Sequence, residues 1–159
     1  MTRTKCRRAL FPGSFNPFTR GHQSIVDRAL ALFDEIVIGI GISIDKHGSS
    51  EFDRRSEAIK AIYKDNPSVK IVSYDGLTVD AARGNDCQFI VRGVRNAADL
   101  DYERSMADIN RRLANIETVL LMTLPELTMV SSSVARELSH YGQDISWLLA
   151  SPPDVPDKN

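Results

Sequence analysis

At 159 residues, with 42% hydrophobic and 26% charged residues, the chain has the size and balance of one water-soluble globular unit with room for a core. A formal net charge of -1 and a pI near 6.3 give no broad basic field, which argues against binding long nucleic acid through phosphate neutralisation. Cys6 and Cys87 are too few for a disulfide framework or a zinc site, and no apolar run approaches a membrane span, so a cytoplasmic protein with reduced thiols is the expectation.

The first apolar run, Ala9-Leu10-Phe11, reads as a strand, and Ile25, Val26, Ala29, Leu30 and Phe33 recur at helical spacing. Between them, Phe11 to His22 form a loop with two prolines and two glycines, which lets backbone amides approach a ligand closely. The helix is expected to start at about Gly21-His22, where free amides and the positive end of the dipole favour an anion such as phosphate. His22 then has two readings: a donor to a phosphoryl oxygen, or a capping and packed histidine.

Ile36 to Ile42 is a continuous β-branched run, the pattern of a strand covered on both faces. It carries Gly39 and Gly41 without the third glycine of a dinucleotide fingerprint, and the chain holds no P-loop signature. The polar loop Asp45 to Ser50 follows at the strand's carboxyl end, which makes Lys46 a candidate phosphate ligand. A helix over Phe52 to Tyr63 and a strand over Val69 to Tyr74 come next, then a short helix from Leu77 to Arg83 and a strand from Cys87 to Val91. That last strand runs directly into Arg92-Gly93-Val94-Arg95. Two arginines at such a strand end are either a solvated face or a guanidinium pair aimed at phosphate, and the position favours the second.

Ala97 to Leu113 reads as a long helix with Leu100, Met106, Ile109 and Leu113 at near-helical spacing, and acidic residues in its first turns. A fifth strand, Thr118 to Met122, precedes Ser131-Ser132-Ser133 at the start of a last helix; one serine can be an N-cap, while three together offer hydroxyls and amides to a second phosphate. The alternation predicts an α/β fold, a Rossmann-like doubly wound five-stranded parallel sheet in a single domain over residues 1–150. The proline-rich segment 151–159 is expected to be a disordered tail.

Four ordered segments carry a family resemblance. They are the Pro12-Gly13-Ser14-Phe15 loop ending in Thr19-Arg20-Gly21-His22, the lysine Lys46, Arg92-Gly93-Val94-Arg95 followed by Asp99 to Glu103, and Val130-Ser131-Ser132-Ser133 with Arg136. Together they resemble the bacterial phosphopantetheine adenylyltransferases of the nucleotidylyltransferase superfamily, in the Thr-x-Gly-His form of its signature. The resemblance implies adenylyl transfer from ATP, accompanied by Mg2+, to 4'-phosphopantetheine, with nicotinate mononucleotide or another phosphate acceptor as the alternative within the superfamily. A non-catalytic ATP-binding module is the alternative outside it.

It implies His22, Lys46 and Arg95 as catalytic groups. It implies an ATP site of Ser14, Phe15, His22, Gly93, Val94, Arg95 and Glu103 with Leu127, Thr128, Met129, Val130, Ser131, Ser132 and Ser133. Ser14, Lys46, Thr78 and Arg92 would receive the acceptor. A homohexamer and coenzyme A as a feedback ligand belong to the same implication, with no nucleic-acid or membrane partner and no protein-bound metal. Leu127 stands where many relatives have an aromatic residue.

Overall fold

Ile36 to Ile40 leaves no polar side for solvent, so its strand must lie inside a sheet with helices on both faces. A computed structural model, which describes residues 5–42 and 49–153, has that arrangement. The element order is β1 (Arg8–Gly13), α1 (Arg20–Ala29), β2 (Glu35–Gly41), α2 (Ser49–Tyr63), β3 (Val69–Tyr74), α3 (Thr78–Gly84), β4 (Phe89–Val94), α4 (Ala97–Ala114), β5 (Glu117–Met122) and α5 (Ser132–His140), with 3-10 turns at Pro125–Leu127 and Ser146–Leu148. The described residues form one parallel sheet in the order β3-β2-β1-β4-β5. The order reverses at β1, and the carboxyl ends of β1 and β4 therefore flank the switch point where such sheets bind ligands.

Strand alternation divides the core. Phe11, Ile36, Ile38, Ile40 and Val91 pack on one face with Ile25, Val26 and Ala29 of α1 and Ile59 of α2. Leu10, Val37 and Ile90 pack on the other with Val79 and Ala82 of α3 and with Cys87. β1 stays in register with β2 from Arg8↔Glu35 to Gly13↔Ile40, but it pairs with β4 at Ala9↔Phe89 and Leu10↔Ile90. Beyond Leu10 the two central strands part company, which opens a cleft between their carboxyl ends.

Several boundaries differ from expectation. β4 runs on to Val94, held by β5 through Arg92↔Leu120, Gly93↔Leu121 and Val94↔Met122, so the arginine motif begins inside the sheet. α1 starts at Arg20 because Thr19 caps it. The stripe of Leu100, Met106, Ile109 and Leu113 is not the inner face of α4, whose buried residues are Glu103 and Asn110. Both are polar and both are satisfied, Glu103 by Arg92 and Asn110 by Thr118 Oγ1 at 3.3 Å, which leaves Leu100, Ile109 and Leu113 exposed. Of the expected tail, residues 154–159 lie outside the described residues; Ser151 is tied to the Gln23 side chain through both its amide and its carbonyl.

Candidate active site

The loop after β1 is shaped by contact rather than by freedom. A Cβ on Gly13 would lie 2.8 Å from the Phe15 ring, so the backbone can pass there only as glycine. Phe15 itself has φ 47 and a buried ring, a conformation that a bulky residue keeps only when its surroundings hold it. Its ring meets Phe11 and Phe18 at centroid distances of 5.3 Å and stands edge-on to His22 at 5.0 Å.

His22 is the capping, packed histidine of its second reading, and one ring nitrogen is left over for the first. The Thr19 amide donates to its Nδ1 at 3.0 Å while Thr19 Oγ1 accepts from the His22 amide, a reciprocal cap on α1. A backbone amide can only donate, so Nδ1 is unprotonated and the neutral ring carries its proton on Nε2. Burial, and then the charges of Arg92 and Arg95, push the imidazole down to about 4. At neutral pH His22 is thus an uncharged donor on the wall of a cavity of about 340 Å3.

That cavity gathers most of the expected nucleotide residues. Ser14, Phe15, Gly93, Arg95 and Glu103 line it together with Val130 and the three serines. Ser131 is the N-cap of α5, its Oγ accepting from the Val134 amide, and Ser132 Oγ donates to Pro17 O at 2.8 Å. Ser132 has spent its proton on Pro17, whereas Ser131 accepts and keeps its own, so this corner can offer an anion the Ser131 hydroxyl together with the free first-turn amides of α5. Gly93 gives room to α1, since a Cβ there would sit 3.0 Å from Ile25 Cγ1.

The cations are differently bound. Arg92 donates from Nε and Nη2 to the Glu103 carboxylate at 2.8 to 3.0 Å and from Nη1 to Pro12 O at 2.7 Å. Arg95 Nε donates to Asp99 Oδ2 at 3.0 Å. Burial raises Asp99, but its hydrogen bonds from Arg95 outweigh that and hold the carboxyl below its ordinary value. Arg136, one turn into α5, donates to Asn16 O and to Ser133 Oγ, both neutral, and with no carboxylate paired to it among the described residues it brings positive charge to the cavity wall.

A second groove of about 270 Å3 adjoins the first. Pro12, Gly13, Ser14, Arg92 and Glu103 line both. The groove continues past Gly41, Tyr74 and Thr78 to Tyr102, Met106 and Asn110, with the Tyr74 and Thr78 hydroxyls 3.1 Å apart. Ser14, Thr78 and Arg92, distant in sequence, are thereby brought together. Lys46 lies outside the described residues. Val94 is buried within the sheet, and Leu127, Thr128 and Met129 are not among the lining of either pocket; Met129 is 67% exposed and Leu127 packs beside Val130 and Leu148.

A family model described as cytidylyltransferase-like matches residues 10–138, which takes in β2 to β5 whole and the loops around the cleft. Over 143 residues the chain is 56% identical to the phosphopantetheine adenylyltransferase of Bacteroides thetaiotaomicron, covering 90% of this chain and 95% of that protein. The chain belongs to this family. The phosphopantetheine adenylyltransferase of Bacteroides fragilis is 55% identical over the same shares. In fold, the chain is similar to a bifunctional NMN adenylyltransferase/ADP ribose pyrophosphatase from Francisella tularensis, with a TM-score of 0.72 and 17% identity. That likeness covers 92% of this chain and 45% of the other, and it is a likeness of fold.

Sequence reasoning left out Arg136, Tyr74, Met106 and Asn110 as pocket residues. Arg136 was readable as the cation one turn beyond the serines, and Tyr74 as the last residue of a strand at the ligand-binding rim. Met106 and Asn110 had no such signal, since which residues of α4 face the groove follows from how the helix is turned.

Proposed function

We propose that the chain transfers the adenylyl group of ATP to the phosphate of 4'-phosphopantetheine, giving dephospho-coenzyme A and pyrophosphate. The observation that carries this reading is the meeting of two pockets at Ser14 and Arg92, one walled by His22, Arg95, Arg136 and the start of α5, the other running along α4. The family membership supplies the substrates. ATP fits the first pocket, with its α-phosphorus towards the junction, and the acceptor phosphate fits at Arg92 with its pantetheine arm along the second groove.

An oxygen of the acceptor phosphate attacks the α-phosphorus, the bond to the bridging oxygen breaks, and pyrophosphate leaves with that electron pair. The nucleophile is already an anion, so no general base is required, and catalysis comes from positioning and charge stabilisation. His22 donates from Nε2 to a phosphoryl oxygen as its charge grows. Arg95 and Arg136 hold the triphosphate, and Lys46 is assigned to the same field. Neutral His22 suits this work, because a hydrogen bond can strengthen in the transition state without a proton having to move.

Mg2+ enters with ATP as part of the substrate. The donor set supports that: among the described residues no three His, Cys, Asp or Glu side chains cluster, and Asp99 and Glu103 are committed to arginines. The phosphate oxygens and water would therefore supply the octahedral shell. A cytoplasmic site of action, a homohexamer, and coenzyme A as a feedback ligand of the acceptor groove belong to the same proposal; the outward apolar stripe of α4 supports self-association.

The test is pyrophosphate release from Mg–ATP with 4'-phosphopantetheine, nicotinate mononucleotide and a polyol phosphate as acceptors. Turnover with 4'-phosphopantetheine alone is expected. Turnover with another acceptor instead would overturn the pathway, and ATP binding without turnover on any of them would leave a binding module.

A further inference from the structure

The carboxylate of Glu103 is buried in the wall common to both pockets, yet its bonding is directed to one partner. A guanidinium has five N–H donors. In Arg92 the Nε donor is shared between the two Glu103 oxygens at 2.9 and 3.0 Å, one Nη2 donor goes to Oε1 at 2.8 Å, and one Nη1 donor goes to Pro12 O at 2.7 Å. Among the described residues three donors are used and two remain, one on each terminal nitrogen. With the Nε–Nη2 edge fixed by the carboxylate and Nη1 fixed by the strand, the plane cannot rotate about its last bond without breaking several bonds at once.

We infer that Glu103 is the positioning residue of Arg92, aiming its two free donors at the acceptor phosphate. This rests on the adenylyl-transfer reading above and assigns within it a role that the resemblance does not. Charge favours the assignment. A bare carboxylate beside the acceptor phosphate would repel it, whereas one paired to Arg92 presents a neutral unit with an oriented fork. Pro12 joins the arrangement to the nucleotide loop, because its carbonyl belongs to the strand that leads into Ser14 and Phe15. Position and direction of the acceptor's anchor are thus set by the same strand that shapes the donor's pocket.

The test titrates wild type, Glu103→Gln and Glu103→Asp with Mg–ATP and with 4'-phosphopantetheine, alongside a KM for each. Gln turns an amide donor towards Arg92, and Asp keeps the charge but withdraws it by one methylene. Both are expected to weaken acceptor affinity roughly tenfold or more. Adding Glu103→Gln to Arg92→Ala is expected to cost no further acceptor affinity, since the residue it aims is gone.

Unchanged acceptor affinity in either folded variant, or a further loss of acceptor affinity when Glu103→Gln is added to Arg92→Ala, would overturn the inference. Should Glu103→Gln fail to fold with a buried arginine left unpaired, Glu103→Asp decides, because it retains both charges. A wild type that does not bind 4'-phosphopantetheine overturns the acceptor assignment instead. The inference falls with it, since it names that phosphate as the group Arg92 holds.

Discussion

At the scale of single residues, the site depends on side chains whose freedom has already been used up. His22 is fixed by Thr19 on one edge and by three phenyl rings around it, leaving Nε2 as its working atom. His22→Ala should lower kcat by roughly a hundredfold or more with little change in ATP affinity, as removal of one preorganised donor does; near-normal turnover would remove His22 from the chemistry. With its imidazole held down at about 4, His22 adds no inflection to the kcat/KM profile between about pH 6 and 8. An inflection near the ordinary histidine value that disappears in His22→Asn would contradict this. Stability carries the complementary sign. The unfolded chain takes up a proton on this residue near pH 6.5, and the folded chain does not until about 4. Stability therefore falls as pH drops through that window, by at most about 1.4 kcal/mol per unit from this group, and is independent of it above the window. Arg92→Ala should act elsewhere, raising the KM for the acceptor phosphate; unchanged acceptor kinetics would refute that role.

At the scale of elements, the loop between β1 and α1 is where geometry is tightest. Gly13→Ala forces a methyl against the Phe15 ring and should cost about 1 to 3 kcal/mol, displacing the loop and depressing turnover along with stability. Thr19→Ala removes the cap hydroxyl but keeps the amide that fixes His22 Nδ1, so about 1 kcal/mol of stability should be lost with turnover largely retained. Urea melts paired with initial rates separate the two; equal effects on both measures in Thr19→Ala would mean that the hydroxyl also orients the ring. The strands were legible because β-branched runs and buried alternation are local patterns, and β3 begins and ends where the residues alone placed it. The end of β4 was not legible, since Arg92 looks like a strand stop until Glu103 and Pro12 supply its partners. The facing of α4 was hidden for a related reason: two polar residues own its inner surface, and periodicity counts hydrophobes without knowing that a glutamate has an arginine waiting.

At the scale of the whole molecule, the parallel sheet and the position of the site at its carboxyl rim followed from alternation, whereas the strand order that sets β1 beside β4 came only with the structure. What could not be read was which residues share one wall, because Thr78 and Met106 meet only when α3 and α4 are laid against the same face. The outward side chains of α4 predict self-association: Leu113→Lys, changing a residue that is 53% exposed, should lower the assembly state in sedimentation while leaving the monomer fold intact, and an unchanged assembly would exclude this face. The parting of β1 from β4 has a mechanical consequence. On one bank stand β1, β2 and β3, on the other β4 and β5, and the backbone ladder between banks stops at Leu10 and Ile90, with the Arg92 side chain's bond to Pro12 O as a tie beyond it. A nucleotide reaching from His22 to Arg95 would supply the missing stitches, so the substrate doubles as a fastener of the sheet. Working copies should outlast idle ones in a protease digest, and the seam that admits ATP is the place where an empty molecule first comes undone.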